Sequence, residues 1–191
     1  LEGSNLVALI SILALSDEGV DAVLEELETG SPRAAAIVAA SFVETHLEHL
    51  IFSRMVDDSK LKTLMFGPNG ALGTFSAKIN LGYLTGIYSK NAWKELDTIR
   101  SVRNDFAHRL DISFDNGSVR DRCTNLVLWE KWQITVTSAD ESESGSAKPF
   151  SLEFFDKGTS MTPRLRYQTA CRFFIAAFSL LMGSARDQVA L

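Results

Sequence analysis

Cysteine is scarce in this chain: Cys123 and Cys171 are the only two in 191 residues. They lie far apart and outside any metal-ligand spacing, which argues against a Cys/His zinc site and for two free thiols in a reducing cytoplasm. Basic residues are not in excess either, the net charge being −5. Lysines and arginines are scattered, apart from Arg164, Arg166 and Arg172, so the footprint of a stand-alone DNA-binding repressor is missing. There is no Gly-rich phosphate loop and no serine nucleophile elbow, which leaves nucleotide hydrolysis without support. The most apolar stretch, near the C-terminus, is interrupted by Arg172 and is shorter than the roughly 18 uncharged residues of a membrane span. No secretory signal and no internal repeat is visible. Leu1-Glu2-Gly3-Ser4 read as a cloning remnant and are left out of the fold. No cofactor, metal or membrane partner is expected.

What the chain does contain is ordinary for a soluble globular protein, with 46% hydrophobic and 23% charged residues. One cytoplasmic domain spanning 1–191 is expected, mainly α: a bundle of about five to seven helices with a small β-hairpin before the last. Residues 5–15 and 17–28 read as short helices. Gly30-Ser31-Pro32 stops one helix and starts another, with Ser as N-cap and Pro in the first turn. The long helix that follows runs to about Val56, with Ala36, Ala40, Val43, Leu47 and Leu50 as its core stripe. Lys60 to Phe66 is a short helix ended by the turn cluster Gly67-Pro68-Asn69-Gly70. Thr74 or Ser76 opens the next, with Phe75, Ile79, Tyr83 and Ile87 on one side. Gly82 and Gly86 inside it suggest a close crossing. After a turn at Asp115-Asn116-Gly117, Val119 to Leu126 is helical. The period then changes, and 127–156 reads as the hairpin with an acidic tip at 138–146. Residues 162–184 form an apolar last helix, buried or in a subunit contact.

One stretch holds the functional question: Ile99-Arg100-Ser101-Val102-Arg103-Asn104-Asp105-Phe106-Ala107-His108. It continues a helix capped by Ser89, whose apolar face takes in Ala92, Leu96, Ile99, Phe106 and Leu110. Arg103 falls on that face, where its permanent charge requires a carboxylate or carbonyl partner. Glu44 or Glu48 of the long helix is the expected partner. Asn104 is expected to fix a helix end or loop, and His108 to meet the free carbonyls at the helix C-terminus. Arg103 and His108, five residues apart, diverge by roughly 140° on a straight helix. A shared site therefore needs a loosened helix end or two chains. His46 and His49 beside Glu44 and Glu48 could suggest a metal face, but no third ligand is signalled. Trp93, Trp129 and Trp132 are expected in the core or under the hairpin rather than stacked on bases.

Residues Gly67 to Ile79 resemble a segment of the bacterial mannitol-operon repressor (MtlR) family, as do Gly86-Ile87-Tyr88 and the run Leu96 to His108. The portion Glu44 to Ile51 also fits, and the likeness covers about 32–126. It implies an all-helical core and a role in transcriptional regulation without a helix-turn-helix. The residues agree, because no helix joins a tight Gly turn to a basic base-reading face. The leading expectation is a regulator acting through a protein partner, another transcription regulator, and forming a homodimer through the last or the organising helix. Direct DNA binding is disfavoured. More distantly, Arg103-Asn104-Asp105-Phe106-Ala107-His108 resembles the Arg-x4-6-His motif of HEPN ribonucleases, whose motifs face one another across two chains. Under that alternative the chain is an enzyme, a metal-independent endoribonuclease. His108 then takes the 2′-hydroxyl proton, Arg103 stabilises the phosphorane and RNA is the substrate. A non-catalytic interaction module is the third reading.

Overall fold

The computed structural model describes residues 29–131, 134–137, 149–152 and 161–184. Among these the chain is a helical bundle. Its elements are α1 (Pro32–Ser53), α2 (Ser59–Phe66), α3 (Phe75–Leu84), α4 (Lys90–His108), α5 (Gly117–Thr124), the single turn α6 (Leu128–Lys131) and α7 (Pro163–Ser184). Between α6 and α7, β1 (Ile134–Thr137) pairs antiparallel with β2 (Pro149–Leu152), Ile134 opposite Leu152 and Val136 opposite Phe150. The helices expected at 5–15 and 17–28, the acidic tip at 138–146 and Trp132 lie outside the described residues.

Side-chain caps set the helix starts. Ser31, Asp58, Thr74 and Ser89 each accept a hydrogen bond from the backbone N–H three residues on, satisfying a donor the helix itself leaves open. Thr74, not Ser76, therefore opens α3. The stripe Ala36, Ala40, Val43, Leu47 and Leu50 is buried throughout. Although α1 is long and apolar enough to cross a membrane by length and composition, this face packs on α7, α4 and α3. Small side chains at Ala35, Ala36, Ala39 and Ala40 let neighbours approach its backbone. The centre is Tyr167 of α7, fully buried, whose hydroxyl donates to the Ala36 carbonyl at 3.0 Å with the Ile99 carbonyl 3.4 Å away. One phenol thus links α7, α1 and α4, and burial pushes its ionisation well above the ordinary tyrosine range.

Four expectations are corrected. Leu110 is 94% exposed, because α4 ends at His108 and the chain turns extended at Arg109. Gly86 lies outside α3, at φ +74°, where a side chain would be strained. Gly82 makes way for a ring rather than a helix: a Cβ there would sit 2.6 Å from the Tyr88 hydroxyl, which donates to the Ile79 carbonyl. Finally, residues 128–131 are a helical turn where strand was expected. Glu95 of α4, almost wholly buried, accepts from the amides of Val127 and Leu128 at 2.9 Å each and so caps that turn.

Candidate functional site

The organising helix α4 does not hide Arg103 as its spacing suggests. From Ile99 the next core position can fall three or four residues on, and the apolar Val102 takes it. Leu96, Ile99, Val102 and Phe106 are all fully buried. Arg103 is displaced to the flank and half-buried. Glu44 and Glu48 are not its partners. Both close on Lys78 of α3, whose Nζ lies 2.8 Å from Glu44 and 2.7 Å from Glu48. Lys78 rises from the turn that also buries Phe75 and Ile79, so it reaches the α1 carboxylates from inside the packing surface. Burial alone would lower its pKa, but the hydrogen bonds and charges of the two glutamates prevail and raise it. Arg103 donates from Nη1 to Asn104 Oδ1 at 3.1 Å. Among the described residues it forms no ion pair.

Arg103 and Asn104 open on a recess of about 470 Å³. Glu44 of α1 and Arg100 of α4 line it too, together with Gly73 to Ser76 at the start of α3. Arg100 is already held by Asp97, with Nη2 at 2.7 Å and Nε at 2.9 Å from the same carboxylate oxygen. Glu44 of α1, the start of α3 at Thr74 and the part of α4 around Arg103 each supply part of this one wall. A second recess, of about 460 Å³, lies between α1 and α2 beside Phe52, Lys62 and Phe66. In the same part of the chain, outside that lining, Met55, Val56, Leu61 and Leu64 are exposed, Val56 by 87% and Leu64 by 69%.

His108 stands elsewhere. It is exposed, α4 stays helical up to it, and the amide of Arg109 still bonds back to the Asp105 carbonyl at 3.0 Å. No loosening brings it round to Arg103 within one chain. Nor does it meet the carbonyls at the helix end: Arg33 of α1 donates to those of Phe106 and Arg109. Asp105 pairs with Arg122 of α5. His46 is buried, donates from Nδ1 to the Phe42 carbonyl at 2.8 Å, and is shifted below the ordinary histidine range by burial. Among the described residues no cluster of three metal-ligating side chains forms.

The other candidates are taken up in packing. Cys123 and Cys171 are free and buried, and burial pushes the Cys123 thiol up to about 12, which leaves it almost no reactive thiolate at neutral pH. Trp129 is in the core, its Nε1 donating to the Leu126 carbonyl. Trp93 donates to Asn80 at the surface. Arg164 donates to the Gly30 carbonyl, and Arg166 pairs with Glu130 over the Trp129 ring. The C-terminal basic residues are therefore not a free patch. Lys78, Glu95 and Arg33 escape a reading of the sequence, since charged residues on amphipathic helices are normally solvated. For Lys78 alone a local signal exists, its place between Phe75 and Ile79.

No protein-family profile matches the chain, and no curated protein matches it. Among solved structures, the MtlR–HPr complex from Escherichia coli contains a similar chain, with a TM-score of 0.48 and 17% identity over 86% of this chain and 96% of that one.

Proposed function

We propose that this chain is a transcriptional regulator that works by binding a protein partner, neither reading DNA directly nor cutting RNA. One observation carries the reading: Met55 and Val56 in the α1–α2 connection, and Leu61 and Leu64 on α2, a helix with no buried residue, leave apolar side chains in water. Such exposure is costly to a monomer and typical of a contact surface. The resemblance of 32–126 to the mannitol-operon repressor family supports a regulatory role. So does the engagement of Arg164 and Arg166 by Gly30 and Glu130, which leaves the C-terminal arginines less free to grip a phosphate backbone. The partner in the E. coli complex, HPr, is the first protein to offer as a probe. Titration calorimetry should show saturable binding that Leu61→Glu with Leu64→Glu abolishes, and deletion of the gene should change transcription of its operon. No binding of HPr together with no transcriptional change on deletion overturns the reading.

The ribonuclease alternative keeps one observation in its favour, a half-buried Arg103 with no carboxylate partner among the described residues. It needs His108 from a second chain. Metal-free RNA cleavage that is lost in His108→Ala, with the fold intact, would displace the regulator reading.

A further inference from the structure

Arg103 is the observation that the partner-binding reading leaves unused. A half-buried guanidinium is normally held by a carboxylate, because its charge cannot be given up. Here the carboxylates in reach are committed. Glu44 and Glu48 close on Lys78, and Asp97 holds Arg100. Within its own recess Arg103 meets only the neutral side chain of Asn104. In the recess, about 470 Å³, Arg103 thus makes no direct ion pair among the described residues and keeps a planar fork with most of its N–H donors unused.

We propose that this recess binds a phosphate group, with Arg103 as its principal ligand. The walls add donors suited to a tetrahedral oxyanion. Ser76 brings a hydroxyl, and the amides of Phe75 and Ser76 precede the first bonded amides of α3, Ala77 and Lys78, which close on Thr74. These amides add to the guanidinium and do not replace it. Glu44 on the same wall is partly offset by Lys78, which it shares with Glu48, so the guanidinium fork has to outweigh the remaining negative charge. A fork donor and adjacent N–H groups match three phosphate oxygens better than the two of a carboxylate. The ligand is free phosphate or a small phosphomonoester. The inference builds on the proposed function, as a small ligand of the regulator, but is tested without a partner.

The test is a titration of the full chain with inorganic phosphate, phenyl phosphate and acetate at constant ionic strength, read by the amide shifts of Phe75 and Ser76. Saturable shifts with both phosphates and at least about tenfold weaker binding of acetate are expected. Arg103→Gln should weaken phosphate by about tenfold or more, and Arg103→Lys, which keeps the charge without the fork, by less. Should the glutamine variant fail to fold, the lysine variant carries the comparison. Tighter binding of phenyl phosphate assigns the group to an organic molecule, and tighter binding of inorganic phosphate assigns it to the free ion. Absence of saturation, equal binding of acetate, or shifts unchanged in both variants overturns the proposal. None of these results depends on whether HPr binds.

Discussion

Lys78 and Arg103 both occupy flanks of apolar stripes, on adjacent helices and close to the same carboxylate, yet the fold treats them in opposite ways. Lys78 is buried, its side chain 7% exposed, and two glutamates neutralise it. Arg103 is half-buried and meets one neutral amide. A lysine on a flexible stem can be drawn inward to a pair of carboxylates, and the resulting cluster joins α3 to α1. The arginine, pushed aside when Val102 takes the core position, keeps its charge at the mouth of a recess. A closed cluster is structure, whereas an open one is chemistry still available to a ligand. Substitutions on the two sides should therefore differ in what they damage.

The largest loss is expected at Lys78. Lys78→Met keeps the volume but leaves Glu44 and Glu48 facing each other without a cation. The cost should be about 2–4 kcal/mol, below that of a fully buried pair because both glutamates remain about a quarter exposed. Chemical denaturation measures it, and adding Glu44→Gln and Glu48→Gln should recover part of the loss. The pH dependence follows in sign. Lys78 has a folded-state value above its ordinary 10.5, so its stabilisation is fully present at neutral pH and is lost as pH rises past the ordinary lysine range. A wild-type stability flat into that alkaline region and equal to that of Lys78→Met would break the contrast.

Next in size is Gly82→Ala. The new methyl would lie 2.6 Å from the Tyr88 hydroxyl, whose bond to the Ile79 carbonyl holds α3 where Lys78 can reach α1. Displacing the ring should cost about 1–3 kcal/mol. A melting temperature unchanged in Gly82→Ala would mean that α3 is not fixed by that contact. Tyr167→Phe comes third, at about 1 kcal/mol, because it removes one buried hydroxyl donor and no packing volume. It sharpens the comparison from below: the phenol joins the helices that carry Glu44 and Arg103, yet it should matter less than the charge cluster.

Much of this bundle is legible in the sequence. The α1 stripe and the caps at Ser31 and Ser89 are local patterns, and local patterns survive into the fold. The site was only half legible. Arg103 and Asn104 stand out as polar residues next to a packing face, and they do line a recess. The partners assigned to Arg103 fail because spacing along one helix cannot decide between positions three and four residues on, and because Lys78 competes for the same carboxylates from a different helix. Glu95 carries no local signal at all. Its role depends on the amides of Val127 and Leu128, more than thirty residues away, arriving at the side of α4.

The smallest effect on stability, and the most telling, is expected at Arg103. Arg103→Gln removes a charge that no described carboxylate contacts directly, and the glutamine can still reach Asn104. No buried partner is stranded, so the change should stay within about 0.5 kcal/mol of wild type, as for a substitution away from packed or paired groups. Denaturation in phosphate-free buffer gives the value. Repeated with phosphate, the wild type should gain stability by mass action and the variant should not. A large loss in phosphate-free buffer would place Arg103 with Lys78 among the residues that hold the bundle together, and the recess would then be a by-product of packing.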